Sequence, residues 1–178
     1  CVTEFGGKVI MTDVNHHSGT DRVCEAYKKI DVSADLVINV QGDEPYIKPE
    51  QIAEIISIFE KNDADIGTLI KPKAQSEELF NVNKVKVLTD LEGKALYFSR
   101  QPIPYQKDAE PADWVKTHPY FKHIGMYAFR TNCLEKLVLL NVSALERAES
   151  LEQLRWLENG FTIYTQTTHF EAHAIDTP

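Results

Sequence analysis

The sequence predicts an α/β fold with a Rossmann-like, mixed and mostly parallel sheet, flanked by helices and carrying an antiparallel insertion. Three observations support this prediction. Strand-like and helix-like apolar patterns alternate along the first half, residues 36–40 are almost continuously apolar, and residues 84–98 have the pattern of a hairpin. The chain has 178 residues, a length suited to one hydrophobic core, so we expect a single domain.

The first half of the chain alternates strands with amphipathic helices. Ser18 and Asp21 form a capping-box pattern at the start of the first helix. The predicted elements are a strand at 8–11, a helix from about 20 to 30, a strand at 36–40, a helix from Pro49 and a strand at 66–70. A strand–helix–strand order of this kind favours a parallel sheet.

The second half changes character at a predicted hairpin. Val85 and Val87 alternate with Lys84 and Lys86, which predicts a strand whose lysines face water. The predicted elements are a hairpin at 84–98, a proline-rich irregular stretch or lid at 101–120, a strand at 123–130, a helix capped by Thr131 and running to about Leu140, a helix at 148–159 closed by Gly160, and a strand at 161–164.

Composition excludes several classes of function. There are 27 acidic and 19 basic side chains and a formal charge of −8, which argues against non-specific nucleic-acid binding. No apolar stretch approaches the ~18 residues of a membrane span, so we predict no membrane insertion. Cys1, Cys24 and Cys133 fit neither a disulfide framework nor a zinc site, and they suggest a reducing compartment. An acidic protein that handles phosphates must either focus its few cations locally or recruit a metal ion.

The best-placed polar cluster is the segment Gln41 to Pro45, directly after the apolar strand. In open α/β sheets, ligands bind at the carboxyl ends of strands, and a carboxylate such as Asp43 can hold Mg²⁺ there. A plain turn is the alternative interpretation, because glycine, aspartate and proline are common turn residues.

Three further positions place charge or hydrogen-bonding groups at the ends of elements. Arg22 lies in the first turn of a helix, where a cation opposes the helix dipole. Either a bound anion or nucleotide, or a nearby acid such as Asp21 or Asp13, explains it. Arg100 ends a hairpin strand and can clamp a carboxylate or phosphate, or lie on the surface. His123 and Tyr127 share one strand face, as ligand contacts or as a structural pair.

Acidic and amide side chains form one side of the predicted 148–159 helix. Glu149, Glu152, Gln153 and Trp156 lie opposite the leucines, and the two glutamates repel each other. Carboxylate and amide acceptors beside an aromatic ring suit a hydroxyl-rich ligand. An ordinary solvent-exposed face is the alternative.

Seven ordered motifs resemble those of the 3-deoxy-manno-octulosonate cytidylyltransferases, or CMP-Kdo synthetases. They are His-His-Ser-Gly-Thr-Asp-Arg (16–22), Val-Gln-Gly-Asp-Glu-Pro (40–45), Lys-Val-Lys-Val (84–87), Tyr-Phe-Ser-Arg (97–100), His-Ile-Gly-Met-Tyr (123–127), Leu-Glu-Gln-Leu-Arg (151–155) and Ile-Asp-Thr-Pro (175–178). The resemblance implies a nucleotidyltransferase-type fold and a cytoplasmic, homodimeric enzyme. That enzyme would couple CTP to 3-deoxy-manno-octulosonate (Kdo), releasing pyrophosphate, for lipopolysaccharide synthesis.

The resemblance also implies roles for particular residues. It makes Asp43, Asp176 and Arg100 catalytic and places Mg²⁺ on Asp43 and Asp176. The residues that it places at Kdo are Gln41, Arg100, His123, Tyr127, Glu152 and Gln153. The residues that it places at the nucleotide are Ser18, Arg22 and Gln41.

One family feature has no match here: the basic, glycine-containing loop that cradles the triphosphate. We therefore expect a single domain over 1–178 without the leading strand–loop–helix unit and without the helix that follows Pro178, and we expect a weaker grip on phosphate. Three alternatives stay open. They are a cytidylyltransferase for another 2-keto sugar acid such as sialic acid, a non-catalytic nucleotide- or sugar-acid-binding module, and a metal-dependent glycosyltransferase.

Overall fold

The computed structural model describes residues 2–30, 32–42, 46–73 and 76–170. The helices are α1 (Gly19–Lys29), α2 (Pro49–Lys61), α3 (Ser76–Leu79), α4 (Trp114–Thr117), α5 (Thr131–Leu137), α6 (Ala144–Glu149) and α7 (Glu152–Glu158). The strands are β1 (Leu36–Asn39), β2 (Ile66–Pro72), β3 (Lys86–Thr89), β4 (Ala95–Ser99), β5 (Phe121–Arg130) and β6 (Ile163–Thr167). Asp43 and Asp176, the predicted metal ligands, lie outside the described residues.

These strands form one mixed six-stranded sheet flanked by helices, as the sequence predicts. Strand β5 is its centre: it pairs with β2 along one edge and with β1 and β3 at the two ends of the other edge. Strand β6 pairs with β2, and β3 and β4 form the predicted hairpin.

The expectation of a mostly parallel sheet is wrong for the described strands, where β2 with β6 is the one parallel pairing. Strands β1 and β2 run in the same direction, as a crossover through α2 requires. However, β5 inserts between them and is antiparallel to both. The sequence order of β1, α2 and β2 carries no sign of this later strand.

Local signals predict the starts of the first two helices correctly. Ser18 is the N-cap of α1, where its side chain and that of Asp21 complete the predicted capping box. Pro49 is the first residue of α2. The hairpin turn contains Gly93 at a φ of 83°, a left-handed conformation that favours glycine.

Other local predictions are wrong. Residues 8–11 form no strand. Val9 and Met11 are exposed, and this segment pairs with none of the described strands. Helix α5 includes Thr131 as its first residue, with Arg130 as the N-cap, and it ends at Leu137. The predicted helix at 148–159 is two helices, α6 and α7.

The core occupies both faces of the sheet, and successive side chains of β5 point alternately to one face and to the other. Ile124, Met126 and Ala128 pack with Ile55 and Ile58 of α2. On the other face, aromatic side chains of β5 pack with α1, α5 and α7; this second cluster includes Cys24, Tyr127, Phe129, Cys133, Leu134, Leu154 and Trp156. Tyr127 is thereby directed to the face that carries the candidate site.

The stretch at 101–120 is irregular, as predicted, with a 3-10 turn at Pro111–Asp113 followed by α4. Trp114 and Tyr120 pack with Leu79 in a small separate cluster. No helix among the described residues is both long and apolar enough to span a bilayer.

Candidate active site

A cavity of about 430 Å³ lies where α1, the end of β1, β5 and α7 meet. Five of the predicted site residues line it: Arg22, Gln41, Tyr127, Glu152 and Gln153. Gly42, which precedes the predicted metal ligand Asp43, is also in its wall. The cavity therefore lies at the carboxyl end of a strand, where open α/β sheets bind their ligands.

Tyr127 contributes a buried hydroxyl to this cavity. The side chain is 7% exposed, and its hydroxyl has no hydrogen-bond partner in the described structure. Burial raises the pKa of Tyr127 well above its usual value, and the charge of Glu152 raises it further. The hydroxyl is therefore a neutral donor at physiological pH.

Trp156 packs edge-on against Tyr127, with their ring centroids 5.1 Å apart, and also lines the cavity. The sequence placed Trp156 on the polar side of a helix, yet it is 1% exposed and belongs to the core. Gln153 is also buried. The interpretation of this side as an ordinary solvent-exposed face is therefore wrong for these two residues.

Glu152 joins α7 to α1. The Thr20 hydroxyl donates to Glu152 Oε2 at 2.9 Å, and Arg155 donates to Glu152 Oε1 at 2.6 Å. Burial raises the pKa of Glu152, while these two side chains and Ser18 act to lower it. Sequence reasoning did not find Thr20 as a partner, because it lies 132 residues away along the chain. Arg155 was also missed, although its spacing of three residues from Glu152 on one helix was a signal that could have found it.

Arg22 organises the segment before α1. Its guanidinium donates to the carbonyl of Asp13 at 2.8 Å and to the hydroxyl of Thr12 at 3.2 Å. Further donations reach the carbonyls of Val14 and His16. The cation in the first helical turn therefore meets backbone oxygens, which offset its unfavourable position on the helix dipole.

Gln41 and His123 are held by contacts to neighbouring strands. Gln41 Nε2 donates to the carbonyl of Gly125 at 3.2 Å. The His123 ring stacks at a tilt on Tyr127, at 5.2 Å between centroids, and its Nε2 lies 2.9 Å from the hydroxyl of Thr68. Burial, together with the charge of Lys122, lowers the pKa of His123 to about 3. The ring is therefore neutral at physiological pH.

Arg100 does not line the cavity. Its Nε donates to the carbonyl of Glu149 at 2.7 Å, and its two terminal nitrogens donate to the carbonyls of Val82 and Ser150. The structure thus brings Arg100 to the junction of α6 and α7, beside the helix that carries Glu152.

The described residues contain no cluster of three or more histidine, cysteine, aspartate or glutamate side chains that could hold a metal ion. Both predicted magnesium ligands, Asp43 and Asp176, lie outside this part of the chain. The two cysteines that the structure describes, Cys24 and Cys133, are buried free thiols.

A polar cavity at a strand end is where open α/β sheets bind their ligands, and the model of the family described as Cytidylyltransferase matches residues 1–164 of this chain. A 3-deoxy-manno-octulosonate cytidylyltransferase of Cytophaga hutchinsonii is 53% identical over 178 residues, which cover 99% of this chain and 71% of the relative. The enzyme of the same name from Bacteroides thetaiotaomicron is 50% identical over 180 residues, covering 99% and 72%. The chain belongs to the 3-deoxy-manno-octulosonate cytidylyltransferase family.

A solved structure supports the same assignment at the level of the fold. It is a CMP:2-keto-3-deoxy-manno-octonic acid synthetase complexed with CTP, and it superposes with a TM-score of 0.88 at 38% identity. The match covers 99% of this chain and 70% of that one. Enzymes of this family typically use a divalent metal ion.

Proposed function

We propose that the cavity is the sugar-acid site of a cytidylyltransferase that couples CTP to Kdo, yielding CMP-Kdo and pyrophosphate for lipopolysaccharide synthesis. The observation that carries this proposal is the convergence of Gln41, Tyr127, Glu152 and Gln153 on one cavity, in a chain whose relatives bear the name of that reaction.

The chemistry proposed is an in-line displacement. The anomeric hydroxyl of Kdo attacks the α-phosphorus of CTP, the new oxygen–phosphorus bond forms, and pyrophosphate leaves from the opposite side. No covalent enzyme intermediate is needed, since positioning and charge stabilisation supply most of the catalysis in phosphoryl-type transfers.

Each cavity residue has a role that its chemistry supports. Tyr127 offers a neutral hydroxyl donor, and Glu152 and Gln153 offer acceptors to sugar hydroxyls. Gln41 lines the cavity just after β1, and we assign it contacts to both the sugar acid and the nucleotide. His123 does not line the cavity, but it is neutral and in contact with Tyr127. It orients that ring, and the resemblance also places it at the sugar acid.

The nucleotide and metal roles rest on the family resemblance. Ser18 and Arg22 meet CTP at the start of α1. The resemblance also makes Arg100 catalytic, although its guanidinium lies outside this cavity and donates to the carbonyls of Glu149, Val82 and Ser150. Asp43 and Asp176 hold Mg²⁺, which supplies positive charge at the triphosphate. We also propose that the protein acts in the cytoplasm as a homodimer.

The decisive experiment is Asp43→Ala in the complete protein, assayed for pyrophosphate release and CMP-Kdo formation. We expect activity to be abolished while the circular dichroism spectrum is unchanged. Asp63→Ala is the matched control, because the Asp63 side chain is fully exposed and lies near Arg130, outside the cavity. Full activity in Asp43→Ala would overturn the assignment.

A second assay separates the alternatives. CTP is supplied with Kdo and, separately, with sialic acid, and pyrophosphate release is followed. We expect turnover with Kdo. Turnover with sialic acid alone would indicate the other cytidylyltransferase class, and calorimetric binding of CTP without turnover of either acid would indicate a binding module.

A further inference from the structure

The peptide at Arg100 is held on both sides by buried or half-buried charged groups that do not line the cavity. The Glu149 carboxylate accepts from the Ser99 hydroxyl at 2.6 Å and from the Arg100 backbone N–H at 2.9 Å. On the other side, Lys86 Nζ donates to the Arg100 carbonyl and, at 3.0 Å, to the Asn81 carbonyl. Lys86 is 0% exposed, although its alternation with valines predicts a lysine facing water.

The Arg100 side chain is in turn a donor to this junction. The Arg100 guanidinium donates to the carbonyls of Glu149 and Ser150. Ser150 has a φ of 52°, the left-handed conformation at which α6 ends. Two residues later, Glu152 begins α7. The end of β4 and the break between the helices therefore form one hydrogen-bonded unit.

This unit lies immediately before α7, whose N-cap is Leu151. Because Glu152 and Gln153 are in the first turn of α7, any shift of the break between α6 and α7 moves both side chains relative to the cavity wall. The charge of Glu149 also acts on Lys86. Burial, aided by the charge of Lys73, lowers the pKa of Lys86 to about 8, and the charge of Glu149 opposes that change.

We propose that Glu149 is a positioning residue for the sugar acid. Together with Lys86, it ties the Arg100 peptide to the break between α6 and α7, and so holds Glu152 and Gln153 in the cavity. This proposal rests on the proposed function, in which those two side chains bind Kdo. Glu149 acts indirectly, because its own side chain does not line the cavity.

The test is Glu149→Gln in the complete protein, with KM and kcat measured separately for Kdo and for CTP. The amide keeps the shape of the carboxylate but can no longer accept both hydrogen bonds, because its NH₂ faces a donor. We expect KM for Kdo to rise by roughly tenfold, as for loss of a charge-assisted hydrogen bond, with KM for CTP unchanged. Glu60→Gln, an exposed carboxylate on α2, is the matched control.

Ser99→Ala provides a second, milder variant, because it removes one donor and leaves the contact from Glu149 to the Arg100 N–H. We expect a smaller rise in KM for Kdo. Combined with Glu149→Gln, it should add little further, since both changes break one shared hydrogen bond. If Glu149→Gln does not fold, Ser99→Ala alone decides the question.

The results separate this proposal from the one on which it depends. If the wild-type protein does not turn over Kdo, the proposed function fails. If the wild type turns over Kdo but both variants keep its KM, or raise the KM values for Kdo and CTP equally, the positioning role is wrong. A lowered unfolding midpoint with unchanged kinetics would show that Glu149 only stabilises the fold, and would also overturn it.

Discussion

The Tyr127 hydroxyl is buried in the cavity wall without a partner among the described residues. A buried donor left unpaired costs about 1–3 kcal/mol of folding free energy. We therefore predict that Tyr127→Phe leaves the free energy of unfolding unchanged or raises it by about 1 kcal/mol, while KM for Kdo rises. Urea denaturation and steady-state kinetics measure the two effects. A clear loss of stability with unchanged KM would contradict a ligand-binding role.

His123 predicts a pH dependence of stability. Its pKa falls from an ordinary 6.5 to about 3 in the folded protein, so the unfolded chain binds more protons between those values. Stability therefore falls as pH decreases from 6.5 towards 3, by at most about 1.4 kcal/mol per pH unit from this group. We predict that His123→Gln reduces this slope, as measured by urea unfolding at pH 4, 5, 6 and 7 (about one-unit steps). Parallel curves for wild type and variant would show that His123 is not held neutral by the fold.

At the scale of elements, the start of α1 combines a helix cap with a predicted nucleotide contact. Ser18 is both the N-cap and the predicted contact to CTP. We predict that Ser18→Ala lowers the free energy of unfolding by about 1 kcal/mol, because the capping hydrogen bond from Asp21 N–H to the Ser18 hydroxyl is lost. Ser18→Asn retains a capping oxygen and should restore stability. We expect KM for CTP to rise in both variants.

The asparagine variant separates the two roles of this residue. If Ser18→Asn restores both stability and KM for CTP, the side chain only caps the helix, and its proposed nucleotide contact is wrong. Thermal unfolding and kinetics on the same samples provide the comparison.

The break between α6 and α7 shows why one element was predicted wrongly. Apolar periodicity from Ala148 to Leu157 is continuous, and no glycine marks an interruption. At this break Ser150 is left-handed, and Arg100, fifty residues earlier in the chain, donates to the carbonyls of Glu149 and Ser150. A local pattern contains no information about such a contact.

For the whole molecule, the formal charge of −8 sets an electrostatic requirement. A triphosphate approaching an acidic protein is repelled unless a cation offsets its charge. We predict that CTP raises the thermal unfolding midpoint with Mg²⁺ present, and much less after chelation by EDTA. Kdo with EDTA is the control, since the sugar acid lacks the triphosphate. An equal shift with and without Mg²⁺ would contradict the metal role of Asp43 and Asp176.

The sequence by itself determined the features that depend on near neighbours. These include the cap at Ser18, the helix start at Pro49, the hairpin turn that contains Gly93, and the presence of several cavity residues in short motifs. Each depends on backbone geometry or side-chain chemistry within a few residues, where a pattern can be read directly.

Only the tertiary structure decided the placement of β5 between β1 and β2, the burial of Lys86, and the hydrogen bond that joins Thr20 to Glu152. The physical reason is that burial and pairing depend on which distant segments meet. The alternation of Lys86 with valines predicts an exposed lysine, but the carbonyls of Asn81 and Arg100, both outside the strands, accept hydrogen bonds from its buried ammonium. The motifs thus identified the chemistry, and the long-range contacts decided which of its residues share the cavity.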